Sequence, residues 1–392
     1  MTARRILFHV NHLWGQGHFV RVHAIAREVA AHGSHATIMN GGAAVLREGG
    51  LRLAVIQMPA ISSKDDRYTE LVDEDGARLG DDFRAMRKEL ALSILESQRP
   101  DLLVTETFPF GRRKLQFELD PLVAAAQTMG IPVFSSVRDI VTCPDDKRVD
   151  EAHARLANRF AGVLVHGDPR ITTLKDSWPR AGEIAPAVID TGYVTDGSIG
   201  PPPAAESRRG IIVSAGAGAS GEAVLRAAAD ARIAGVRADV PWLFVTGPRA
   251  RPGLETDLAA KLARADGHSV TILRELNPLG PAIHKALLSI GRGGYNTVIE
   301  AVAAGTRMAI VPHVRPGEDE QSVRAQAFAD RGLVALADHV AIESGDRQAA
   351  CDAMIAAIMR AFAMAPPDAS RVNANGAAAS ARLLVAAAGG TA

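Results

Sequence analysis

The chain has 392 residues, of which 47% are apolar and 22% charged, and its 44 basic side chains balance 44 acidic ones. A neutral balance excludes the broad positive field that nucleic acid or an anionic membrane surface attracts. The apolar content is that of a globular chain long enough for two domains. The two cysteines, Cys143 and Cys351, stand far apart and offer neither a disulfide framework nor a zinc-ligand spacing, so no metal is expected.

Arg5–Val10 reads as a first strand. The apolar run is too short for a signal peptide, and no stretch of ~20 apolar residues follows, so a cytoplasmic chain without a transmembrane segment is expected. A polar loop leads to a helix from about Val20 to Ala31, stopped at Gly33. Strands at His35–Met39, Leu53–Gln57, Leu102–Thr105, Pro132–Ser136 and Gly162–Val165 alternate with helical stretches, the βαβ pattern of a parallel sheet. Residues 62–89 are heavily charged and read either as a mobile loop over a cleft or as a plain surface insertion. Gly197 to Ala205, with Pro201, Pro202 and Pro203 in a row, reads as a linker. A second series follows at Gly210–Ser214, Pro241–Thr246, Val270–Leu273, Ala286–Ile290 and Met308–Val311. The expectation is an α/β chain of two Rossmann-like parallel-sheet domains, residues 1–198 and 199–370, facing across a cleft. An Ala-rich helix within 371–392 would pack back on either domain. Sheets of this type hold ligands at the carboxyl ends of their strands.

Three segments carry chemistry. Gly15-Gln16-Gly17-His18-Phe19-Val20-Arg21 follows the first strand but fails the dinucleotide fingerprint: Val20 replaces the third glycine, and Asn40 stands where an acid would end the second strand. What remains places His18 at a helix N-terminus. There a neutral imidazole either takes a proton from a hydroxyl or water, or caps the helix, or binds phosphate. His9, inside the strand, reads as structural.

Gly216-Ala217-Gly218-Ala219-Ser220-Gly221 does fit G-x-G-x-x-G between a strand and a helix. It supports a rival reading, an NADP-dependent oxidoreductase, in which Arg249 and Arg251 would serve the 2′-phosphate. The same turn suits any diphosphate. The third segment runs from Gly291 to Gln321. Gly293-Gly294 lets backbone approach a phosphate at a helix start, with Asn296 read as the N-cap. Glu300, on the first turns, is placed to accept ribose hydroxyls, and Tyr295 reads as core. Upstream, Leu276 follows a strand and can offer backbone groups to a base.

With Thr297-Val298-Ile299-Glu300, Ala304-Gly305, Ile310-Val311-Pro312 and Glu320-Gln321, this third segment resembles the donor-binding signature of the GT-B glycosyltransferases of family 28. The resemblance implies Glu300 as ribose ligand, Leu276 as uracil contact through its backbone, and Glu320 with Gln321 as sugar contacts. It implies phosphate contacts at Gly216, Gly218, Gly293, Gly294, Asn296 and Thr297, with Arg249 assisting, and it implies His18 as the group that activates the acceptor. A bacterial group of predicted glycosyltransferases resembles the chain further, in GxGHxxR, in Thr105 to Arg113, in Ser136-Val137-Arg138-Asp139 and in Gly293 to Thr297. From that likeness Gly17, Arg21, Glu106 and Arg138 are taken as acceptor or phosphate contacts. Ser214-Ala215-Gly216-Ala217-Gly218 departs from the family's Gly-Gly-Ser-x-Gly, so the phosphate-binding hydroxyl falls to Ser214 or Ser220 or is missing.

The implied activity is transfer of a sugar from an NDP-sugar co-substrate, UDP-linked by preference, to a hydroxyl of a small soluble acceptor. Inversion is favoured, with no further cofactor. GxGHxxR also resembles a nucleotide-sugar hydrolase of the same fold, in which His18 would activate water.

Overall fold

A computed structural model describes residues 2–45, 49–65, 68–214, 216, 221–263, 265, 269–314 and 319–390. The chain forms two compact units, one of residues 1–196 with 373–392, the other of residues 197–372.

The first unit runs β1 (Arg5–Val10), α1 (Gly17–Ala31), β2 (His35–Asn40), β3 (Leu53–Gln57), β4 (Ser62–Ser63), β5 (Leu71–Val72), α2 (Asp81–Gln98), β6 (Leu102–Glu106), α3 (Gln116–Thr128), β7 (Val133–Arg138), α4 (Asp146–Arg159), β8 (Gly162–His166) and β9 (Ala187–Asp190). Seven strands form one parallel sheet in the order β3-β2-β1-β6-β7-β8-β9. Side chains alternate between its faces. Leu7 and Leu103 join α2, α3 and α4 in one apolar layer, while Ile6, Phe8, Val10 and Val104 join α1 in the other.

Two details differ from the sequence reading. Helix α1 begins at Gly17 rather than Val20, because the Val20 N–H already donates to the Gln16 carbonyl at 3.0 Å. His18 therefore lies inside the first helical turn. The charged stretch 62–89 forms the antiparallel pair β4–β5 and the start of α2; residues 66 and 67 lie outside the described ones. Arg87 in that stretch is fully buried, donating to Glu118 Oε1 at 2.7 Å and Oε2 at 2.8 Å. His9 Nε2 lies 3.1 Å from the same carboxylate, so this strand histidine belongs to a buried ionic cluster.

The second unit runs β10 (Ile211–Ser214), α5 (Glu222–Ile233), β11 (Trp242–Val245), α6 (Leu254–Leu262), β12 (Val270–Leu273), α7 (Gly280–Lys285), β13 (Leu288–Gly291), α8 (Tyr295–Ala303), β14 (Arg307–Ile310), α9 (Glu320–Asp330), β15 (Ala335–Leu336), α10 (His339–Glu343) and α11 (Arg347–Ala363). Its six-stranded parallel sheet has the order β12-β11-β10-β13-β14-β15. Alternate residues Ile211, Val213, Trp242, Phe244, Leu288 and Ile290 pack under α5, α6 and α11.

A last helix, α12 (Gly376–Ala388), returns to the first unit and lies against α1. Ala381, Leu384 and Ala388 enter the same apolar layer as Val22, Ile25 and Val29. The entry is fixed by backbone: the Tyr193 N–H donates to the Asn373 carbonyl at 2.7 Å, and the Gly376 N–H to the Tyr193 carbonyl at 2.9 Å. A Cβ at Gly376 would collide with the Gly192 carbonyl, so glycine is required there. Among the described residues, no helix is long and apolar enough to cross a membrane.

Candidate active site

Each sheet reverses its direction of growth once, between β1 and β6 in the first unit and between β10 and β13 in the second. Loops on either side of such a reversal diverge and leave a crevice at the strands' carboxyl ends. The candidate residues fall there. His18 follows β1 and Glu106 ends β6; Gly216 follows β10, and Gly293 and Gly294 follow β13.

In the first unit His18 and Glu106 meet. His18 Nδ1 is 2.9 Å from Glu106 Oε1, with Thr107 Oγ1 at 3.3 Å and Arg21 Nη2 at 3.2 Å. Arg21, one turn along α1, pairs closely with the same carboxylate oxygen. The other oxygen, Oε2, accepts from Ser136 Oγ at 2.6 Å. Glu106 is thus buried and occupied by the chain's own groups, and Arg21 is buried with it.

The protons in this cluster have one consistent order. A carboxylate only accepts, so His18 Nδ1 and the Ser136 hydroxyl both donate to Glu106. Having given its proton, Ser136 Oγ accepts from His166 Nε2 at 2.9 Å. His166 Nδ1 then accepts from the Thr191 hydroxyl at 2.9 Å. β8 runs one residue past the Val165 expected from sequence, to His166, a polar residue at the carboxyl end of an otherwise apolar strand. The outcome is a defined tautomer for His18: Nδ1 carries the proton and Nε2 keeps the lone pair.

Charge agrees with that order. Burial, then the Arg112 guanidinium, hold the His18 pKa well below its ordinary 6.5, outweighing the hydrogen bond to Glu106; Arg138 and Arg21 lower it further. The imidazole is neutral at pH 7, and 15% of its side chain stays exposed. Burial works to raise the Glu106 pKa, but Arg21 and the hydrogen bonds from His18 and Ser136 bring it far below the carboxylate range. Burial, with Arg21 adding repulsion, depresses His166 to about 3.

The loop after β6 is held in an uncommon shape. Thr107, β-branched, has φ +68°, and Arg112 has φ +61°. The Thr107 N–H donates to the Ser136 carbonyl at 2.7 Å, and its carbonyl accepts from the Gly111 N–H at 2.8 Å. Thr105 and Ser135 hydroxyls both donate to the Phe108 carbonyl, at 3.0 and 2.8 Å. Such conformations persist where surrounding bonds over-determine them, and they cluster at functional sites. Arg138 ends β7, half-buried, and its charge reaches His18. Gly17 opens α1.

In the second unit the loops after β13 and β14 meet. A Cβ on Gly293 would lie 2.8 Å from the Gln321 carbonyl oxygen and 3.3 Å from its Cβ. Only glycine allows that approach. Arg324, fully buried on α9, donates to the Gly293 carbonyl at 3.0 Å and to Glu320 Oε1 at 2.8 Å. It locks turn and helix together and was not singled out from sequence, since only its contacts distinguish it from an exposed helix arginine. Gln321 Oε1 accepts from the His313 N–H at 3.1 Å, which leaves its amide nitrogen as a donor.

The N-cap of α8 is Gly294, not Asn296. Gly294 has the extended conformation of a cap (ψ 144°), and its carbonyl accepts from the Val298 N–H. Asn296 and Thr297 therefore fall in the first helical turn, where backbone N–H groups lack intrahelical acceptors and suit an anion. Glu300 follows on α8, 7% exposed, and Tyr295 is buried beside Arg324. Gly216 has φ +76° and its carbonyl abuts Gly247, so the loops after β10 and β11 touch. Arg249 lies half-buried after β11, and Leu276 half-buried after β12. Arg251 is engaged by Glu222 and Asp257. Gly218 and Ser220 lie outside the described residues. Among the described residues, no cluster of three or more His, Cys, Asp or Glu is arranged to hold a metal ion.

Residues 214–375 match the glycosyltransferase family 28 C-terminal domain, a span that contains the G-x-G-x-x-G turn. That turn therefore belongs to a glycosyltransferase domain, and the oxidoreductase reading falls. Curated protein sequences give no match. Solved structures share the fold over nearly the whole chain. MurG of Acinetobacter baumannii aligns with TM-score 0.58 and 15% identity, covering 97% of this chain and 99% of its own. Phytolacca americana UGT2, solved with UDP-2fluoro-glucose and pterostilbene, gives 0.61 and 13%, covering 99% and 95%. The glycosyltransferase SnogD from Streptomyces nogalater gives 0.57 and 19%, covering 99% and 100%. Two Rossmann-like parallel sheets and a family 28 C-terminal domain make this chain a GT-B glycosyltransferase, an enzyme dependent on a nucleotide-sugar donor.

Proposed function

We propose that the enzyme transfers a sugar from a UDP-sugar to a hydroxyl of a small soluble acceptor, with inversion and with His18 as general base. The observation that carries the reading is the 2.9 Å bond from His18 Nδ1 to a carboxylate that other groups hold in place. It leaves Nε2 as the ring's proton acceptor. The acceptor hydroxyl gives its proton to Nε2 as its oxygen bonds the anomeric carbon. The bond from that carbon to the β-phosphate oxygen breaks, and the nucleotide leaves with the charge. A positioned base of this kind is worth ~10²- to 10⁴-fold in rate. Glu106 orients the ring and stabilises the imidazolium that forms, rather than touching acceptor.

The leaving diphosphate suits the second unit. Backbone N–H groups of the Gly293-Gly294 turn and the first turn of α8 offer preorganised donors, and Gly216, Gly218 and Arg249 are assigned to the same diphosphate. Glu300 is assigned the ribose, Leu276 the base, Gln321 with Glu320 the sugar. UDP is favoured by the sequence signature, and the Phytolacca americana relative was solved with a UDP-sugar. Because Glu320 also holds Arg324, its share of sugar binding is one oxygen at most.

The test is UDP release from a panel of UDP-sugars, with and without hydroxyl acceptors, beside UDP titration of the wild-type protein. Acceptor-dependent release is expected. Full-rate release without acceptor would make the enzyme a hydrolase, and absence of UDP binding would remove the donor assignment.

A further inference from the structure

Among the described residues, one cation near His18 has no carboxylate to itself. Arg112 stands on the loop after β6, and among the described residues its buried Nε has no hydrogen-bond partner. Its backbone is fixed. The Gly111 N–H closes on the Thr107 carbonyl, the Thr107 hydroxyl lies 3.3 Å from His18 Nδ1, and the Arg112 carbonyl accepts from the Leu115 N–H at 2.8 Å. The charged and titratable groups that act on the guanidinium are Tyr68, Arg138, Glu106 and Arg21. Two of these repel it. The carboxylate is already engaged by Arg21, His18 and Ser136. Burial, with Arg138 and Arg21 adding repulsion, lowers Arg112 to about 10, so it remains charged at pH 7. A guanidinium fork is shaped for two anionic oxygens, and a desolvated one without them is costly.

We infer that Arg112 receives an anionic group of the acceptor, so that the acceptor is a hydroxy acid or a phosphorylated alcohol rather than a neutral alcohol. This rests on the reading that the unit carrying His18 takes the acceptor. The anion would sit on Arg112 while the molecule's hydroxyl faces His18. Acceptor choice would follow from charge on a fixed loop.

The experiment is calorimetric titration of the full chain, wild type and Arg112→Gln, with inorganic phosphate, glycerate, glycerol and UDP. Phosphate and glycerate are expected to bind wild type and to lose about tenfold or more in affinity in Arg112→Gln, as for a lost charge-assisted pair. Glycerol should bind neither protein, and UDP affinity should stay within about twofold. Arg112→Lys keeps the charge without the fork; it should lose only part of the affinity and carries the test if the glutamine variant melts early. No phosphate or glycerate binding in wild type, or equal binding in both variants, overturns the inference. A tenfold loss of UDP affinity in Arg112→Gln also overturns it, assigning the guanidinium to the donor's diphosphate. If wild type binds phosphate through Arg112 but no UDP, the donor reading fails, and the acceptor assignment falls with it.

Discussion

Glu106 Oε1 and His18 Nδ1 stand 2.9 Å apart, and the same carboxylate is the counter-ion of buried Arg21. One side chain therefore sets the tautomer of the base and balances the charge of Arg21. Glu106→Gln should lose on both counts. An amide can donate to Nδ1 and turn the imidazole's lone pair away from the acceptor. We expect a fall in kcat of about 10²-fold or more, with UDP affinity kept. Arg21 loses its charge partner as well, so stability should drop by ~3–5 kcal/mol, read by urea titration. A variant with normal kcat would remove Glu106 from the mechanism.

The pH profile follows from the His18 environment. Its pKa lies below 6.5, and the base must be neutral, so the acid limb of kcat/KM should fall below pH 6.5 and activity should be flat across neutrality. Glu106 raises the His18 pKa through its hydrogen bond, so residual activity of Glu106→Gln should have its limb at still lower pH. An acid limb above pH 7 would exclude His18 as the titrating group.

His166 predicts a stability effect with a definite sign. Folded, it protonates only near pH 3; unfolded, it protonates below about 6.5. Between those values the unfolded chain binds more protons, so stability falls as pH drops from 6.5 towards 3. His166→Asn should flatten that slope between pH 6.5 and 5, measured by urea midpoints. An unchanged slope would mean that His166 is not held neutral.

Gly293→Ala should damage the second unit's turn without touching its core. The new methyl would meet the Gln321 backbone at 2.8 Å, forcing the turn off α9. UDP affinity is expected to fall about tenfold or more, with thermal stability lowered by ~1–3 kcal/mol, the usual cost of overpacking. Glu300→Ala should weaken UDP about tenfold or more. Full UDP affinity in both variants would place the nucleotide elsewhere.

The architecture was legible because apolar strands at regular spacing have few arrangements, and the family of the second unit because the residues from Gly293 to Gln321 carry that family's pattern. Other features were not legible. The start of α1 moved because a Gly-Gln-Gly run gives no cap signal while the backbone still closes a helical turn at Gln16. Asn296 looked like a cap, but the extended residue was Gly294. Arg87 falls in a charged stretch and Arg324 in a polar helix, with no local signal of burial; only the fold brings Glu118 and Gly293 to them. Glu106 read as a ligand contact, whereas both of its oxygens face inward to Arg21, His18 and Ser136. Buried pairing joins residues far apart in sequence, and no local pattern announces it.

Leu384 on α12 lies in the apolar layer of the first unit, so Leu384→Ala should cost about 2–5 kcal/mol and shift melting accordingly. A cost below about 1 kcal/mol would show that α12 is dispensable there.

The return of α12 also imposes an order of events on synthesis. Residues 1–196 leave the ribosome long before residues 376–388 do, and until then the α1 face bearing Val22, Ile25 and Val29 lacks its cover. At ~5–20 residues per second that interval is roughly ten to forty seconds. The unit that carries His18 is completed after the second one, and a nascent chain must keep that apolar stripe from other partners until α12 arrives.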